Sequence, residues 1–357
     1  MTFTITPHAS PLSSQAREKA LEDPGFGRIF TDHMVTLRWS ANRGWHDGKV
    51  TARAPLAIDP AASVLHYAQE VFEGMKAYRS AQGDILLFRP EMNAARFGRS
   101  AERLAMPVIP EPLFVQAVEE LVRIDKDWVP SGAGSLYLRP FLFASEAFLG
   151  VRPAQEYLFC VIASPVGPYF KGGDKPVKLW VSDKYTRAAP GGTGAAKCGG
   201  NYAASLIAQA EASEHGCDQV VFLDAAEHRW IEELGGMNLF FVMSDGSIVT
   251  PPLTGTILPG ITRTSIIDIA RGLGMKVSET PYSMDQWRSD AQSGKLSEAF
   301  ACGTAAVVAS IGEIVSSSGS FSVKNAQGAT VASKLKEQLV GIQRGSIPDS
   351  RGWVRKI

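Results

Sequence analysis

The stretch GGTGAAKCGGNYAAS, residues 191–205, places Lys197 in a glycine-rich turn that runs directly into a helical pattern. Lysine is among the residues least often buried, and glycines allow another molecule to approach the backbone closely. A lysine that forms a Schiff base must attack in its neutral form, which desolvation and nearby cationic or hydrogen-bonding groups favour. A solvated loop lysine beside a helix start would show the same pattern, so the interpretation depends on the rest of the chain.

Two other turns have the composition of phosphate-binding elements. In LPGITRTSIIDIA (258–270), the residues Gly260, Ile261 and Thr262 precede a helical pattern. The N–H groups of a helix start, together with a threonine hydroxyl, form a phosphate cradle. In ACGTAAVV (301–308), Gly303 and Thr304 interrupt a strand-like run, as a backbone that meets a ligand does. An ordinary threonine N-cap and a simple β-bulge are the alternatives.

A carboxylate occurs in WIEELGGMNLFFV (230–242), where Glu233 lies in an apolar context shortly before a Gly-Gly break. A buried carboxylate needs a positive partner, which either a protonated pyridine nitrogen or an ordinary salt bridge supplies. Each of these signals is weak by itself. Together they provide an amine, a carboxylate and two phosphate-binding turns, which are the parts that a pyridoxal phosphate site requires.

Length and composition set the broad class. The 357-residue chain is too long for one typical domain and short for three, so two domains are expected. Lysine plus arginine (36) equals aspartate plus glutamate (36), which argues against nucleic-acid binding. The four cysteines, Cys160, Cys198, Cys217 and Cys302, form no CxxC pair, so neither a disulfide framework nor a metal site is expected. The N-terminus lacks the apolar run of a signal peptide and no segment could span a bilayer, which predicts a cytoplasmic protein without a membrane partner.

Strand and helix patterns alternate along the chain, which favours an α/β fold. Strand patterns occupy 84–90, 135–145, 157–164, 176–183 and 217–225, with further pairs within 230–253 and 296–315. Helical patterns occupy 90–106, 113–129, 201–216, 261–274 and 333–345. We expect Asn201 to cap the third helix and the last helix to carry the C-terminus. The Pro- and Gly-rich stretch PVGPYFKGGDKP (165–176) is the candidate linker.

Several long motifs, in the correct order, resemble the branched-chain amino acid aminotransferases of the fold-type IV class of pyridoxal phosphate enzymes. The resemblance extends from residue 26 nearly to the C-terminus. Its motifs are FGRIFTDHM, LHYAQEVFEGMKAY, FRPEMNAARF, LYLRPFLF with FLGV, SPVGPYF, KCGGNYAAS, EELGGMNLFFV, LPGITR and CGTAAVV. It implies a small N-terminal α/β domain (1–165), a linker (166–177) and a larger C-terminal domain (178–357), with the cofactor between the two domains.

The resemblance implies a role for each cofactor residue. Lys197 would form the internal aldimine with pyridoxal 5′-phosphate and shuttle a proton during turnover. Glu233 would keep the pyridine nitrogen protonated, and Tyr202 would donate a hydrogen bond to the phenolic oxygen. Arg187 would lie close to the ring and the lysine turn. The phosphate would be held by Arg96, Ile261, Thr262 and Thr304.

The resemblance also implies the substrate pocket. Its aromatic walls would be Phe26, Tyr67, Phe72, Tyr137 and Tyr169. The turn at Thr304 and Ala305 would face the substrate carboxylate, and Arg139 would accept the side-chain carboxylate of glutamate. The loop formed by Leu149, Gly150 and Val151 would reach the site of a neighbouring subunit, which implies a homodimer. Apolar walls suit aliphatic side chains, and tyrosines add a polar tip to an apolar body.

The implied activity is the reversible, ping-pong transfer of the amino group of L-leucine, L-isoleucine or L-valine to 2-oxoglutarate. A D-amino acid aminotransferase and an aminodeoxychorismate lyase of the same fold type are alternatives, and a cofactor-binding protein without turnover is a third. The LYLRP, FLGV and EGMKAY stretches favour the branched-chain enzymes. Two features depart from some family members: the CxxC redox switch after the GTA turn is absent, and Gly236 stands where some relatives have threonine.

Overall fold

The computed structural model describes residues 2–167, 175–324 and 330–357. The chain forms two compact units, each of which mixes helices with a sheet, so the α/β class is confirmed. Unit 1 comprises Met1–Tyr169, Ala196–Gly199 and Ile342–Ile357, and unit 2 comprises Phe170–Ala195 and Gly200–Gly341. The units are therefore not contiguous in sequence. The lysine segment, which the sequence analysis assigned to the larger domain, belongs to unit 1.

The strands within the described residues are β1 (Thr4–Ile5), β2 (His33–Ser40), β3 (Gly44–Ala52), β4 (Glu70–Phe72), β5 (Met75–Arg79), β6 (Ile85–Phe88), β7 (Ser135–Ala144), β8 (Glu156–Val166), β9 (Val177–Val181), β10 (Gln219–Leu223), β11 (Ile231–Leu234), β12 (Asn238–Met243), β13 (Ile248–Thr250), β14 (Val277–Glu279), β15 (Leu296–Gly303), β16 (Val307–Ser316), β17 (Gly319–Ser322) and β18 (Val354–Lys356). The α-helices there are α1 (Ser14–Glu22), α2 (Ser63–Tyr67), α3 (Pro90–Arg103), α4 (Glu111–Ile124), α5 (Gly199–Glu214), α6 (Ile261–Gly272), α7 (Met284–Ser293) and α8 (Val331–Gln343).

Unit 1 is built on a sheet with the order β1-β3-β2-β8-β7-β5-β6-β18, to which β4 adds by pairing with β7. Residues along β7 alternate between the two faces of this sheet, as its sequence pattern predicted. Leu136, Leu138 and Leu142 enter the main hydrophobic core, where α3 and α4 contribute Phe97 and Phe114. Each fully buried aromatic ring contributes about 2–3 kcal/mol through burial. Tyr137 and Arg139, at the alternate positions of the strand, lie on the other face of the sheet.

Unit 2 contains a mixed sheet with the order β11-β10-β9-β16-β15-β12-β13-β14, and β17 pairs with β16. Its strands β9, β10 and β16 are parallel neighbours, whereas β12 and β15 pair antiparallel. Trp287 of α7 is fully buried in the core that this sheet forms and packs edge-on against Phe241 at 5.0 Å. The break between β15 and β16 falls at Gly303, so the predicted interruption of that strand pattern is confirmed.

Two local predictions are wrong. Asn201 does not cap α5, because the helix already begins at Gly199. Its side chain instead bonds Thr193, accepting from Oγ1 at 2.6 Å and donating to the carbonyl at 2.8 Å. The C-terminus is not carried by the last helix, since the chain continues into β18, which pairs antiparallel with β6. Both errors arise because the groups found partners outside the local helical pattern: the Asn201 side chain in the turn eight positions earlier, and the C-terminal backbone in the distant strand β6.

Candidate active site

The lysine segment is held in place by three backbone N–H bonds within unit 1. The N–H of Phe72 donates to the carbonyl of Lys197 at 3.0 Å, and the N–H of Lys197 donates to Ser100 Oγ at 2.9 Å. The N–H of Gly199 donates to the carboxylate of Glu70. The short strand β4 therefore provides an edge on which the segment rests, and helix α3 supplies a second attachment.

Alternation along this segment directs the lysine away from the core. Ala196 and Cys198 are buried in the main core of unit 1, whereas Lys197, between them, is half-buried. The Nζ of Lys197 lies 4.9 Å from the centre of the Phe72 ring. Cys198 is a small residue packed into this core. The result is an amine that contacts an aromatic face while its backbone is fixed on both sides.

A buried ion pair lies beside the lysine in unit 1. Arg96 on α3 and Glu73, just after β4, are 4% and 0% exposed, and Arg96 Nε donates to Glu73 Oε1 at 2.7 Å. Burial acts to raise the pKa of Glu73, but the charge and hydrogen bonds of Arg96, followed by the charge of Lys197 and the amide of Asn93, outweigh it and lower that pKa below its ordinary value. The pair is therefore ionised, and Arg96, predicted to bind phosphate, has a fixed guanidinium.

Four of the predicted substrate residues form one cluster around the Phe72 ring. The guanidinium of Arg139 lies 4.7 Å from the centre of this ring, and its Nη2 donates to Tyr137 Oη at 3.1 Å. Phe26 packs edge-on against Tyr137 at 5.2 Å. The Nε of Arg139 is buried without a hydrogen-bond partner among the described residues. The Arg139 cation thus lies beside the aromatic rings of Phe72 and Tyr137.

The remaining predicted pocket residues of unit 1 lie in a neighbouring loop. Tyr67 donates its hydroxyl proton to the carbonyl of Leu149, which connects α2 to the loop at 149–151. Leu149 is 60% exposed and Val151 is 86% exposed, so this loop presents apolar side chains to its surroundings. Tyr169, a predicted wall residue, lies outside the described residues. Gly150 joins the two exposed side chains.

In unit 2 the predicted carboxylate is held by a buried arginine. Arg187 Nη1 lies 3.0 Å from Glu233 Oε1, with side-chain exposures of 4% and 2%. The N–H of Leu258 donates to the same oxygen at 2.8 Å. Arg187 also donates to the carbonyls of Gly194 and Thr256, at 3.1 and 2.8 Å. Arginine compensates the buried negative charge and ties it to the GGTG turn.

Gly194, the last glycine of the GGTG turn, is required because the backbone of Thr256 passes close to it. A Cβ on Gly194 would lie 2.4 Å from the carbonyl oxygen and 2.6 Å from the Cα of Thr256. Thr256 in turn donates its hydroxyl proton to Glu232 Oε1 at 2.5 Å. Burial raises the pKa of Glu232, whose side chain points to the opposite side of β11 from that of Glu233. Glu232 and Glu233 therefore have different partners: Glu232 accepts from Thr256, whereas Glu233, which is predicted to serve the cofactor, pairs with Arg187.

Asn238 at the start of β12 brings the three unit 2 motifs together. Its amide donates to the carbonyl of Leu258 at 3.1 Å, and its Oδ1 would lie 2.1 Å from a Cβ on Gly260. In the sheet it is the register partner of Cys302, directly before Gly303. The EELGGMN, LPGITR and CGTAA motifs are thus adjacent in space. Sequence analysis missed Asn238, although a polar residue between Met237 and an apolar run was a usable signal.

The start of α6 has the features of an anion-binding site. Its N-cap is Gly260, so no side chain caps the first turn, and Ile261 and Thr262 are buried there. The N–H groups at such a start carry a partial positive charge. Thr304 and Ala305, also predicted, lie half-buried in the turn after β15. Tyr202 lies half-buried in the first turn of α5.

Three structural residues of unit 1 were missed by sequence analysis: Glu70, Glu73 and Ser100. Glu73 follows the apolar Val71 and Phe72 of β4 and precedes a glycine, and Glu233 was singled out by a similar apolar context close to a glycine break. Ser100 gave no such signal, because a serine in a helical pattern is ordinary. Within the parts of the chain that the structure describes, no group of His, Cys, Asp and Glu could hold a metal ion. No helix of the described ranges has the length and hydropathy of a membrane span.

Comparison with known proteins shows which proteins this chain is similar to. The sequence profile of the family described as amino-transferase class IV matches residues 70–314. The chain is 54% identical to a probable branched-chain-amino-acid aminotransferase of Streptomyces coelicolor, covering 100% of this chain and 99% of that protein. The branched-chain amino acid aminotransferase of Escherichia coli superposes with a TM-score of 0.75 at 29% identity, covering 90% of this chain and 98% of that one.

A second solved structure carries a bound group. It is a branched-chain amino acid aminotransferase, of the source abbreviated T.th., complexed with N-(5′-phosphopyridoxyl)-L-glutamate. Its TM-score to this chain is 0.71 at 29% identity, and the match covers 89% of this chain and 97% of that chain. That protein therefore binds a phosphopyridoxyl group joined to glutamate.

Proposed function

Because this chain belongs to the amino-transferase class IV family, we propose that it is a branched-chain amino acid aminotransferase that transfers the amino group of leucine, isoleucine or valine to 2-oxoglutarate. One observation carries the proposal: the Phe72 ring contacts both the Lys197 amine, at 4.9 Å, and the Arg139 guanidinium, at 4.7 Å. The amine that carries the cofactor and the cation that receives glutamate's second carboxylate thus share one apolar wall.

The donor set of this chain fits pyridoxal 5′-phosphate. Unit 1 supplies an amine and a buried guanidinium, and unit 2 supplies a buried carboxylate and an uncapped helix start. When bound, the cofactor supplies an electron sink for the charge that develops on the substrate's Cα. The solved relative that carries a phosphopyridoxyl-glutamate supports the same assignment.

Each residue contributes a separate action toward that cofactor. Lys197 would hold the cofactor and move a proton at its Nζ, and Glu233 would hold the proton on the pyridine nitrogen. Tyr202 would donate a hydrogen bond to the phenolic oxygen of the cofactor. The residues proposed to hold the phosphate are those that the motifs imply: Arg96 through its guanidinium, Ile261 and Thr262 through the first N–H groups of α6, and Thr262 and Thr304 through their hydroxyls.

The pocket must accept an aliphatic side chain in one half-reaction and a carboxylate in the other. Phe26, Phe72 and Tyr137 offer apolar surface to the aliphatic substrate. Arg139 is held by Tyr137 and supported by the Phe72 face, so its charge is available to glutamate without entering bulk water. The α-carboxylate is proposed to lie at the Thr304–Ala305 turn.

A visible-range spectrum tests this function directly. Addition of leucine to the loaded enzyme should shift the absorbance within one turnover, and 2-oxoglutarate should restore it. D-alanine should leave the spectrum unchanged; a preference for D-alanine would instead support the D-amino acid aminotransferase, and a static spectrum would support a binding protein without turnover.

Borohydride trapping followed by peptide mapping identifies the reactive amine. We expect the label on Lys197, loss of both label and turnover in Lys197→Ala, and normal behaviour in the control Lys184→Ala, which changes an exposed lysine. A label on any other lysine would contradict the assignment of Lys197.

We further propose that a second copy of the chain covers the loop at 149–151. Leu149 and Val151 are strongly exposed apolar residues in a loop that is tied to the pocket residue Tyr67. Val151→Asp should therefore weaken a dimer measured by analytical ultracentrifugation. A monomeric wild type would refute this part of the proposal and leave the chemistry unaffected.

A further inference from the structure

We propose that Glu73 is a positioning residue that sets the Arg96 guanidinium for the phosphate of the cofactor. The inference rests on the proposed function, because it takes from it the role of Arg96 in phosphate binding. The structure adds the contact that orients this arginine, a two-point hydrogen bond to the Glu73 carboxylate. No phosphate contact is assigned to Glu73 itself, since a carboxylate would repel that group.

The carboxylate of Glu73 is fully buried and accepts four hydrogen bonds from described residues. Arg96 Nε donates to Oε1 at 2.7 Å, and Arg96 Nη2 donates to Oε2 at 2.8 Å. Asn93 Nδ2 and the N–H of Gly74 also donate to Oε2, at 2.7 and 3.1 Å. The bidentate pair uses the Nε edge of the guanidinium and so fixes the direction of Nη1.

The same helix holds the backbone of Arg96 to the lysine. Ser100 Oγ donates to the Arg96 carbonyl at 3.0 Å and accepts the N–H of Lys197 at 2.9 Å. Asn93, Arg96 and Ser100 are spaced three and four residues apart and therefore lie on one face of α3. Because the backbone of Arg96 is fixed through Ser100, the bond to Glu73 decides where the charged end of the side chain lies.

The chemistry of this contact set requires the full length and charge of glutamate. All four of these groups are donors, so a glutamine would place its own N–H₂ group against at least one N–H donor. An aspartate keeps the negative charge but is one methylene shorter, so it cannot reach both guanidinium nitrogens from the same backbone position. Glu73→Asp therefore changes geometry at constant charge and separates positioning from electrostatics.

The test uses the full chain freed of cofactor, titrated with pyridoxal 5′-phosphate and with pyridoxal, which lacks the phosphate. The dissociation constant of pyridoxal divided by that of pyridoxal 5′-phosphate measures the contribution of the phosphate. In Glu73→Asp we expect this ratio to fall about 10- to 100-fold, the range for losing charge-assisted hydrogen bonds. A ratio within about twofold of the wild-type value would overturn the inference.

The control is Glu119→Asp on helix α4. Glu119 is also a buried carboxylate in unit 1, with Arg123 and Arg355 as its ion-pair partners. It has the same chemistry but no link to Arg96, so its variant should keep the ratio of the wild type. An equal fall in both variants would show a general loss of structure and would refute a specific role for Glu73.

A double variant keeps the inference testable where Glu73→Asp does not fold. Arg96→Gln and Glu73→Gln/Arg96→Gln are compared, and the second removes both charges, so no buried charge is left alone. Since Glu73 acts only through Arg96, the double variant should show the same ratio as Arg96→Gln. A further fall in the double variant, or no fall in Arg96→Gln, would overturn the inference.

These outcomes are independent of the proposed activity. If leucine leaves the wild-type spectrum unchanged while Glu73→Asp loses its preference for the phosphorylated cofactor, the activity fails and the positioning role stands. If leucine is transaminated and the ratio does not move, the positioning role alone fails.

Discussion

Replacing Arg187 by methionine should destabilise unit 2 by the loss of one buried charge. Methionine has a similar length and no donor, so the variant leaves Glu233 without its cation. The two side chains are 4% and 2% exposed, and water cannot reach the carboxylate that remains. The carbonyls of Gly194 and Thr256 lose a donor in the same change.

We expect a loss of about 4 kcal/mol in the free energy of unfolding, because breaking a buried ion pair by removing one partner costs roughly 3–5 kcal/mol. Arg263→Met is the matched control. Arg263 is equally buried, at 3%, but its partner Glu279 is 36% exposed and can be solvated when the arginine is removed. The free energy of unfolding of Arg263→Met should fall by only about 1–2 kcal/mol, mainly because the carbonyl of Pro251 loses its hydrogen-bond donor.

Urea-induced unfolding of the cofactor-free protein, followed by far-ultraviolet circular dichroism, measures this difference. With a slope of about 3 kcal/mol per M, a loss of 4 kcal/mol lowers the midpoint by about 1.3 M. Adding Glu233→Gln to Arg187→Met should recover about 2 kcal/mol, because the charge that was left alone is then removed. Equal losses for Arg187→Met and Arg263→Met, or no recovery in the double variant, would refute this reasoning.

Three further predictions concern other parts of the molecule. Arg139→Gln should raise the KM for 2-oxoglutarate about 10- to 100-fold while leaving the half-reaction with leucine nearly unchanged, as stopped-flow absorbance would show; equal effects on both substrates would contradict its role. Burial, aided by the charge of Arg344, lowers the pKa of Lys76 to about 8, so the folded state binds fewer protons than the unfolded state between pH 8 and 10. Wild-type stability should therefore rise relative to Lys76→Met by about 2 kcal/mol from pH 7.5 to 10 in denaturant titrations, and a constant difference would be inconsistent with this pKa. Gly194→Ala should lower the free energy of unfolding by about 2 kcal/mol or more, because its Cβ would meet the Thr256 backbone. Gly200→Ala, which has open space around it, should raise the free energy of unfolding by about 0.5 kcal/mol. Thermal unfolding of both variants measures the difference.

Local patterns in the sequence were sufficient for most elements. The alternation in SLYLRPFLFA and the helical spacing after Pro90 predicted β7 and α3, because the periods of 2 and 3.6 residues follow from backbone geometry alone. The interruption at Gly303 was likewise visible as a local change in pattern. The family and its implied activity followed from the order of long motifs, which no single residue could have shown.

Contacts between distant residues were not predictable in this way. Ser100 and Lys197 are 97 positions apart, and Glu73 and Arg96 are 23 apart. Only the pairing of β4 with β7 and the packing of α3 bring these groups together. The wrong placement of Asn201 as a cap has a more local origin, since its partner Thr193 is eight positions away, in the turn that precedes the lysine.

The sequence by itself determined which chemistry this protein carries, because an amine in a glycine turn, a carboxylate and two anion-binding turns are properties of short stretches. The tertiary structure decided how those groups are held: Arg96 by Glu73, Glu233 by Arg187, and Lys197 by Ser100 and Phe72. The physical reason is that a buried charge or N–H group must find a partner, and which partner it finds depends on strand register and helix packing.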